Sequence, residues 1–199
     1  MDVAIIKYNA GNIYSVSYAL KRLGIEATIT ADPELLCKAD KVIFPGVGEA
    51  HTTMEHLKEH NLDTIIKGLK QPVLGICLGM QLMCLSSEEG DARCMGIFPA
   101  RVLRLPSVTP GGAQLKVPHV GWDTISGLST PLFRNLAEDT YIYYVHSFAA
   151  EPCAATIATT DYGRPFSAAL ARNNFFGTQF HPEKSGSAGA RILQNFLTL

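Results

Sequence analysis

The sequence predicts an α/β fold: a doubly wound, mostly parallel sheet flanked by helices, with additional antiparallel strands in its C-terminal half. Two observations predict it. In the first half, short apolar runs alternate with segments whose apolar residues recur at helical spacing. In the second half, strand-like runs follow one another, separated by turns that contain proline and glycine. Right-handed crossovers turn such a β-α order into a parallel sheet, which gathers its functional groups at the carboxyl ends of the strands.

The first half supplies the alternation of strands and helices. From Ile13 to Leu23 the apolar residues share one helix face, and Gly24 favours the end of a helix there. Asp32 is a helix-capping residue type, and Pro33 suits the first helical position. The predicted elements are a strand over 3–7, a helix over 13–23, a strand over 26–30, a helix from 33, a strand over 41–44, two helical pieces within 49–70, a strand over 72–76 and a helix over 78–85.

The second half is dominated by strands. They are predicted over 100–105, 122–125, 141–148, 155–160, 166–172 and 175–180, with one clear helix over 189–197. We expect some of these strands to form antiparallel hairpins that lie beside the parallel sheet or extend it. Since the sequence contains no internal repeat and no interdomain linker, we expect residues 1–199 to form a single domain.

Composition and charge exclude several classes of function. The 17 basic and 18 acidic residues give a net charge of -1, so no basic stripe is available and a nucleic-acid partner is not expected. The first residues lack a basic segment followed by a long apolar stretch, and the most apolar window, 73–85, is too short for a bilayer. We therefore expect neither a signal peptide nor a membrane association. Five cysteines, an odd number without a CxxC pair, indicate free thiols in a cytoplasmic protein.

The strongest local motif is Gly75-Ile76-Cys77-Leu78-Gly79, between a predicted strand and a predicted helix. It has the form of a nucleophile elbow, with cysteine where many hydrolases have serine. The glycines leave room for a tight, strained turn, and the start of the next helix favours a thiolate. The alternative is a buried core cysteine beside two packing glycines. The preceding apolar strand, both glycines and the following helix together favour the elbow.

A nucleophile requires a base, and the base requires a group that orients it. His181 follows the last predicted strand and therefore lies at the edge of the sheet where the elbow is expected. Glu183, two residues further on, is placed to fix the tautomer of the imidazole and to stabilise its protonated form. The alternative for such a histidine is a purely structural role. The presence of an elbow cysteine in the same chain makes His181 the preferred base.

Two weaker motifs lie in the first half. The segment Gly46-Val47-Gly48 follows the third predicted strand, where its backbone N–H groups can face a developing oxyanion, although a Gly-x-Gly is commonly only a turn. His56-Leu57-Lys58-Glu59-His60 matches the H-x-x-E-H pattern of zinc proteases. No clear third ligand accompanies it, and Glu55, Lys58 and Glu59 have the pattern of a solvated helix face, which we favour over a zinc site.

The chain resembles the class I (triad-type) glutamine amidotransferases over nearly its whole length. Within that family it resembles most closely the branch of histidine biosynthesis. The matching segments are 8–12 (YNAGN) with 15–16 (SV), 45–48 (PGVG), 75–82 (GICLGMQL), 87–90 (SEEG), 118–122 (PHVGW), 145–148 (VHSF) and 179–185 (QFHPEKS). The elbow and the His-Pro-Glu segment mark the wider family. The resemblance implies a flavodoxin-like fold and no cofactor or metal.

The resemblance also implies a role for each site residue. Cys77 is the expected nucleophile, His181 the general acid and base, and Glu183 the orienting carboxylate. The expected oxyanion donors are backbone groups, and the expected substrate contacts hold the two ends of glutamine. The oxyanion donors are the N–H of Leu78 and one N–H from Gly46, Val47 or Gly48; the substrate contacts are Gln81, Glu89, Ser147 and Phe148.

The implied reaction is hydrolysis of glutamine to glutamate and ammonia, and the implied partner is a (β/α)8-barrel cyclase subunit in a heterodimer. That cyclase uses the ammonia to form imidazole glycerol phosphate and an aminoimidazole ribonucleotide. Trp122, Tyr143 and Lys184 are candidates for the partner face, with core packing as the alternative for the two aromatic residues. Three other functions stay open: the glutaminase of another amidotransferase, a cysteine peptidase or esterase on a related fold, and a non-catalytic binding module.

Overall fold

The structure is a computed structural model that describes residues 1–8 and 12–199. Asn9, Ala10 and Gly11, part of one segment that carries the resemblance, lie outside the described residues. The strands of the described ranges are β1 (Val3–Ile6), β2 (Thr28–Thr30), β3 (Lys41–Gly46), β4 (Val73–Cys77), β5 (Ser86–Ser87), β6 (Ala92–Arg93), β7 (Arg101–Arg104), β8 (His119–Ile125), β9 (Thr140–His146), β10 (Phe148–Ala150), β11 (Thr156–Asp161), β12 (Pro165–Arg172) and β13 (Phe175–Thr178).

The second α-helix begins where the sequence predicts a cap. Asp32 accepts a hydrogen bond from the backbone N–H of Glu34 at 2.8 Å, and Pro33 occupies the first helical position. The α-helices are α1 (Ile13–Arg22), α2 (Pro33–Lys38), α3 (Ala50–Glu59), α4 (Leu62–Gly68), α5 (Leu78–Leu82) and α6 (Gly186–Leu197). Short 3₁₀ turns cover Glu89–Asp91, Pro131–Phe133 and Pro182–Lys184. Within the two described ranges, none of these helices is long and apolar enough to cross a membrane.

The main sheet confirms the predicted α/β fold. Its strand order is β11-β12-β13-β4-β3-β1-β2. The pairs β13–β4, β4–β3, β3–β1 and β1–β2 are parallel, whereas β11–β12 and β12–β13 are antiparallel and extend the sheet at one edge. The two strands that flank β4 are therefore β3 and β13. Because both run parallel to β4, the residues that follow all three strands meet at one edge of the sheet.

Both faces of this sheet are covered, as the continuous apolar runs predict. Successive residues of β1 enter opposite core clusters: Ala4 and Ile6 pack on one side of the sheet, and Val3 and Ile5 on the other. The same alternation separates Phe44 of β3 from its neighbour in the strand, Ile43. The buried sheet is thus a rigid support for the residues that end its central strands.

Two smaller sheets complete the second half. One has the order β10-β7-β5-β6, and its two shortest strands, β5 and β6, were not predicted. The other is the β8–β9 ribbon, an antiparallel pair in which His119 lies opposite His146 and Trp122 lies opposite Tyr143. Since side chains alternate along a strand, these two pairs lie on opposite faces of the ribbon.

The predicted strand over 141–148 is wrong in one respect, because it is two strands. The backbone carbonyl of Ser147 accepts a hydrogen bond from the N–H of Leu105 at 2.8 Å, so the chain parts from β8 after His146 and continues beside β7. A similar departure ends β13 at Thr178, two residues earlier than predicted. There the N–H of His181 donates to the carbonyl of Tyr143 at 3.0 Å, which turns the chain from the main sheet toward β9.

Candidate active site

The predicted turn at Cys77 has the geometry of a nucleophile elbow. Cys77 ends β4 with a φ of 53°, in the left-handed region that residues other than glycine rarely adopt, and α5 begins at the next residue. A Cβ on Gly79 would lie 2.0 Å from the carbonyl oxygen of Phe44, and one on Gly75 would lie 2.8 Å from the backbone N of Met80. The two glycines are therefore required by the close approach of α5 to β3 and β4.

His181 and Glu183 form a buried pair. Nδ1 of His181 donates to Oε1 of Glu183 at 2.8 Å, and both side chains have at most 1% of their surface exposed. The side-chain amide of Asn12 also donates to Oε1 of Glu183. Nε2 of His181 is buried without a regular hydrogen-bond partner among the described residues, which leaves this nitrogen available for proton transfer.

The electrostatics of the pair fit an imidazolium. Burial opposes the charged form of His181, but the sulfur of Cys77 and the carboxylate of Glu183, as acceptors that carry negative charge, outweigh it and raise the pKa of His181 to about 10. Burial also acts against the ionised form of Glu183, yet His181 and Asn12 hold the pKa of this carboxyl below its ordinary value. The structure therefore brings a charged histidine and carboxylate beside Cys77.

A cavity of about 180 Å³ opens beside the sulfur. Its wall is formed by eight residues that were predicted for the site and by two that were not, Val145 and His146. The predicted members are Val47, Gly48, Cys77, Leu78, Gln81, Glu89, Ser147 and Phe148. Gly46 lies opposite Cys77 in the register of β3 and β4. The segment that follows β3 therefore lies beside the elbow.

The amide of Gln81 is held in a defined orientation. Its Nε2 donates to the carbonyl of Phe148 at 2.7 Å and to Oε1 of Gln179 at 2.9 Å. Both N–H groups are thus used inside the protein, so only the Gln81 carbonyl oxygen is left to meet a ligand. On the opposite wall, Oε2 of Glu89 accepts from the N–H of Ala50 at 2.9 Å, and burial raises the pKa of this carboxyl, with Glu49 adding to the effect.

Sequence reasoning missed several residues that contact the predicted ones. Gln179 is fully buried, and its Nε2 donates to the sulfur of Cys77 at 3.7 Å. His146 lines the cavity, and Asn12 holds Glu183. The only local signal for Gln179 was one polar residue in an apolar run before His181. Its partners lie about a hundred residues away in sequence, so spacing does not reveal them.

The H-x-x-E-H segment lies on α3. Met54 and Leu57 are buried there, whereas Glu55, Lys58 and Glu59 are exposed, as predicted for a solvated helix face. The ligand atoms of His56, Glu59 and His60 all lie within 4.8 Å of one another. None of the three lines the cavity that the described residues form at Cys77.

Comparisons with known proteins identify the family of the chain. Residues 4–199 match the family model of class I glutamine amidotransferases. The chain is 62% identical over 199 residues to the imidazole glycerol phosphate synthase subunit HisH of Bacteroides fragilis (strain YCH46), with all of both chains covered. It is 47% identical to the subunit of the same name from Yersinia pseudotuberculosis, again with full coverage of both.

Solved structures agree on the fold. A putative GMP synthase protein from Thermoplasma acidophilum has a TM-score of 0.74 at 21% identity, covering 100% of this chain and 93% of that one. PurLQS from Thermotoga maritima has a TM-score of 0.73 at 17% identity, covering 99% and 97%. The chain belongs to the class I glutamine amidotransferases, and within them to the HisH subunits of imidazole glycerol phosphate synthase.

Proposed function

We propose that Cys77, His181 and Glu183 are the catalytic triad of the glutaminase reaction of this synthase. One observation carries the proposal: the strained elbow presents the Cys77 sulfur to an open cavity, beside an imidazole whose other nitrogen is bound to a buried carboxylate. Nucleophile, base and orienting group then stand in the order that covalent catalysis requires.

The reaction proceeds in two halves. The Cys77 thiolate attacks the side-chain carbonyl carbon of glutamine, and the imidazolium of His181 gives its proton to the amide nitrogen as the C–N bond breaks. Ammonia leaves, and the glutamyl group is held as a thioester. The neutral imidazole then takes a proton from water, whose oxygen attacks the thioester. Glutamate departs, and the thiolate and imidazolium are restored.

Backbone N–H groups stabilise the oxyanion of each tetrahedral intermediate. The proposed donors are the N–H of Leu78, at the start of α5, and one N–H of the segment from Gly46 to Gly48. This proposal is supported by the position of Val47 and Gly48 in the wall of the cavity that Cys77 and Leu78 also line. Each donor in such a site contributes about 2.7–4 kcal/mol to the transition state.

The two ends of glutamine are held by the remaining wall. We assign the α-ammonium to the carbonyl oxygen of Gln81 and to the carboxylate of Glu89, because both are acceptors on the cavity wall. The backbone of Ser147 and Phe148 completes the substrate site, since both residues line the same cavity.

The ammonia is consumed by a cyclase subunit, the (β/α)8-barrel partner, which forms imidazole glycerol phosphate and an aminoimidazole ribonucleotide. We propose that this partner docks on the outer face of the β8–β9 ribbon, defined by Val120, Trp122, Tyr141 and Tyr143. Trp122 is 54% exposed and Tyr141 is 63% exposed. Exposed aromatic residues that cluster in this way are typical of protein interfaces.

This face adjoins the triad. The ring centroids of Trp122 and Tyr143 are 5.9 Å apart, and the ammonium of Lys184 lies 6.0 Å from the centre of the Tyr143 ring. Lys184 follows Glu183 directly in the chain. A partner seated on the ribbon therefore has a short path to the ammonia released at Cys77.

The test is a glutaminase assay of the chain in complex with the cyclase, in the presence of the cyclase's ribonucleotide substrate. We expect glutamine turnover that depends on the cyclase, covalent labelling of Cys77 by a glutamine-like diazo ketone, and loss of both in Cys77→Ala. Hydrolysis of peptides or esters in preference to glutamine would contradict the proposal. Turnover by Cys77→Ala at the rate of the unmodified chain would also contradict it.

A further inference from the structure

The proposed mechanism leaves two buried histidines without a role. His119 and His146 are 4% and 6% exposed and lie directly opposite each other across the β8–β9 ribbon. Nδ1 of His119 lies 3.2 Å from Nε2 of His146. Two buried imidazoles in hydrogen-bond contact are costly unless each nitrogen has a suitable partner.

The hydrogen bonds fix the proton positions on His146. Nδ1 of His146 lies 2.9 Å from the carbonyl oxygen of Phe148, an acceptor, so Nδ1 carries the proton and donates. Burial lowers the pKa of His146 to about 3, with His119 and His181 adding to the effect, so the ring is neutral. Its Nε2 is therefore a bare acceptor, and Nδ1 of His119 donates to it.

His119 is fixed from both sides. Its ring stacks on Tyr162 at a centroid distance of 3.9 Å and on Tyr144 at 4.9 Å. Its Nε2 faces Oδ2 of Asp123 at 3.4 Å. Because Tyr144 belongs to β9, this stacking keeps the ring of His119 against the β8–β9 ribbon.

The carbonyl of Phe148 joins this pair to the nucleophile. It accepts both from Nδ1 of His146 and from Nε2 of Gln81. Nε2 of Gln81 also donates to Oε1 of Gln179, and Nε2 of Gln179 donates to the sulfur of Cys77. An unbroken series of hydrogen bonds thus runs from Cys77 through two amides and one carbonyl to the two imidazoles.

We propose that His119 and His146 are positioning residues that hold Ser147 and Phe148, part of the wall of the glutamine site, against the β8–β9 ribbon. The inference rests on the proposed function, since it assigns Ser147 and Phe148 to substrate binding. The outer face of the ribbon carries Trp122 and Tyr143, and its inner face carries the two imidazoles. A shift of the ribbon when the partner docks therefore moves the glutamine site.

A structural role alone and a positioning role differ in their kinetics. Loss of general packing lowers the amount of folded enzyme and hence the apparent kcat, whereas a displaced substrate wall weakens glutamine binding and raises KM. His146→Leu removes the donor to Phe148. His146→Asn keeps an amide N–H near the position of Nδ1 and is the conservative variant. His119→Phe keeps the stacking on Tyr162 and Tyr144 but removes the hydrogen bond to His146.

The experiment measures kcat and KM for glutamine in the complex with the cyclase and its ribonucleotide. For His146→Leu and His119→Phe we expect KM to rise about tenfold or more, the effect of one lost hydrogen bond, with kcat within about threefold of the unmodified chain. His146→Asn should recover most of the KM. His56→Ala, at a half-buried residue of α3 outside the cavity at Cys77, is the control and should leave both constants unchanged.

The outcomes separate this inference from the proposed function. If the unmodified complex turns over no glutamine, the proposed function fails before the variants are compared. If it does, an unchanged KM in His119→Phe overturns the positioning role, and so does a fall in kcat at constant KM. If His146→Leu does not fold, His119→Phe and His146→Asn decide the question, because each retains a ring or a donor at its site.

Discussion

At the scale of the residue, the chemistry that we propose depends on the charge of His181. Glu183 lies 2.8 Å from Nδ1 and helps to raise the pKa of the imidazole to about 10. Glu183→Gln removes that charge while keeping the shape of the side chain. We expect kcat for glutamine to fall by about 100-fold to 10,000-fold, since the imidazolium loses its stabilising partner. Steady-state kinetics of the complex test this.

A second readout and a control accompany that variant. The pH profile of kcat/KM for glutamine reports the protonation of His181, and in Glu183→Gln its basic limb should move to lower pH because the imidazole loses a carboxylate that raises its pKa. Glu34→Gln, which removes an exposed carboxylate paired only with Lys38, should change neither kcat nor the profile. An unaltered profile in Glu183→Gln would argue that the carboxylate does not act through His181.

The same pKa predicts how stability depends on pH. A histidine whose pKa is raised in the folded state stabilises the fold fully below its unfolded pKa of about 6.5, and this contribution is lost as the pH rises toward 10. We expect the stability difference between the unmodified chain and His181→Gln to shrink from pH 7 to pH 10. Urea denaturation at several pH values measures it. A constant or growing difference would show that the proton on His181 is not bound more tightly in the folded state.

Residues of the site divide into those that local sequence reveals and those that it does not. Cys77 was predictable because its strand, glycines and helix are adjacent in the chain, and His181 because it follows a strand that must end at the same edge. Gln179 and His146 were missed because their partners are set by register between distant strands. Hydrogen bonds of this kind arise only when the sheets are assembled.

At the scale of the element, the elbow depends on a close approach of helix to strand. Gly79→Ala would place a Cβ 2.0 Å from the carbonyl oxygen of Phe44, and backbone cannot give way there. We expect a loss of about 1–3 kcal/mol or more in the free energy of unfolding. Gly68→Ala is the matched control. Gly68 lies in α4, and a Cβ added there would meet no atom within 4 Å, so alanine should stabilise the chain by about 0.4–1 kcal/mol.

Chemical denaturation of both variants tests this pair. A Gly79→Ala chain as stable as the unmodified one would mean that α5 can move away from β3 at little cost.

Element boundaries themselves were less predictable than element types. The break at Ser147 depends on the end of β7, where the N–H of Leu105 donates its hydrogen bond from a distant part of the sequence, so no local pattern marks it.

At the scale of the whole molecule, the single tryptophan lies on the face that we assign to the cyclase. Trp122 is half-exposed on the β8–β9 ribbon, opposite Tyr143. Docking there should transfer the indole from water into an apolar interface. With a tryptophan-free cyclase, we expect the emission of Trp122 to shift to shorter wavelength and its quenching by acrylamide to fall.

The strength of the complex follows from the same geometry. A large aromatic side chain at the centre of an interface is the residue type whose truncation costs most, so Trp122→Ala should weaken cyclase binding by about 2 kcal/mol or more, roughly 30-fold in Kd. Tyr18→Ala, on the exposed side of α1, is the comparison variant. It should leave the Kd for the cyclase unchanged if the partner contacts only the ribbon, and should raise it if the interface also includes α1. Because we propose that the ribbon positions Ser147 and Phe148 of the glutamine site, Trp122→Ala should also reduce activation at saturating cyclase. Tight binding with undiminished activation would mean that the partner reaches Cys77 by another surface.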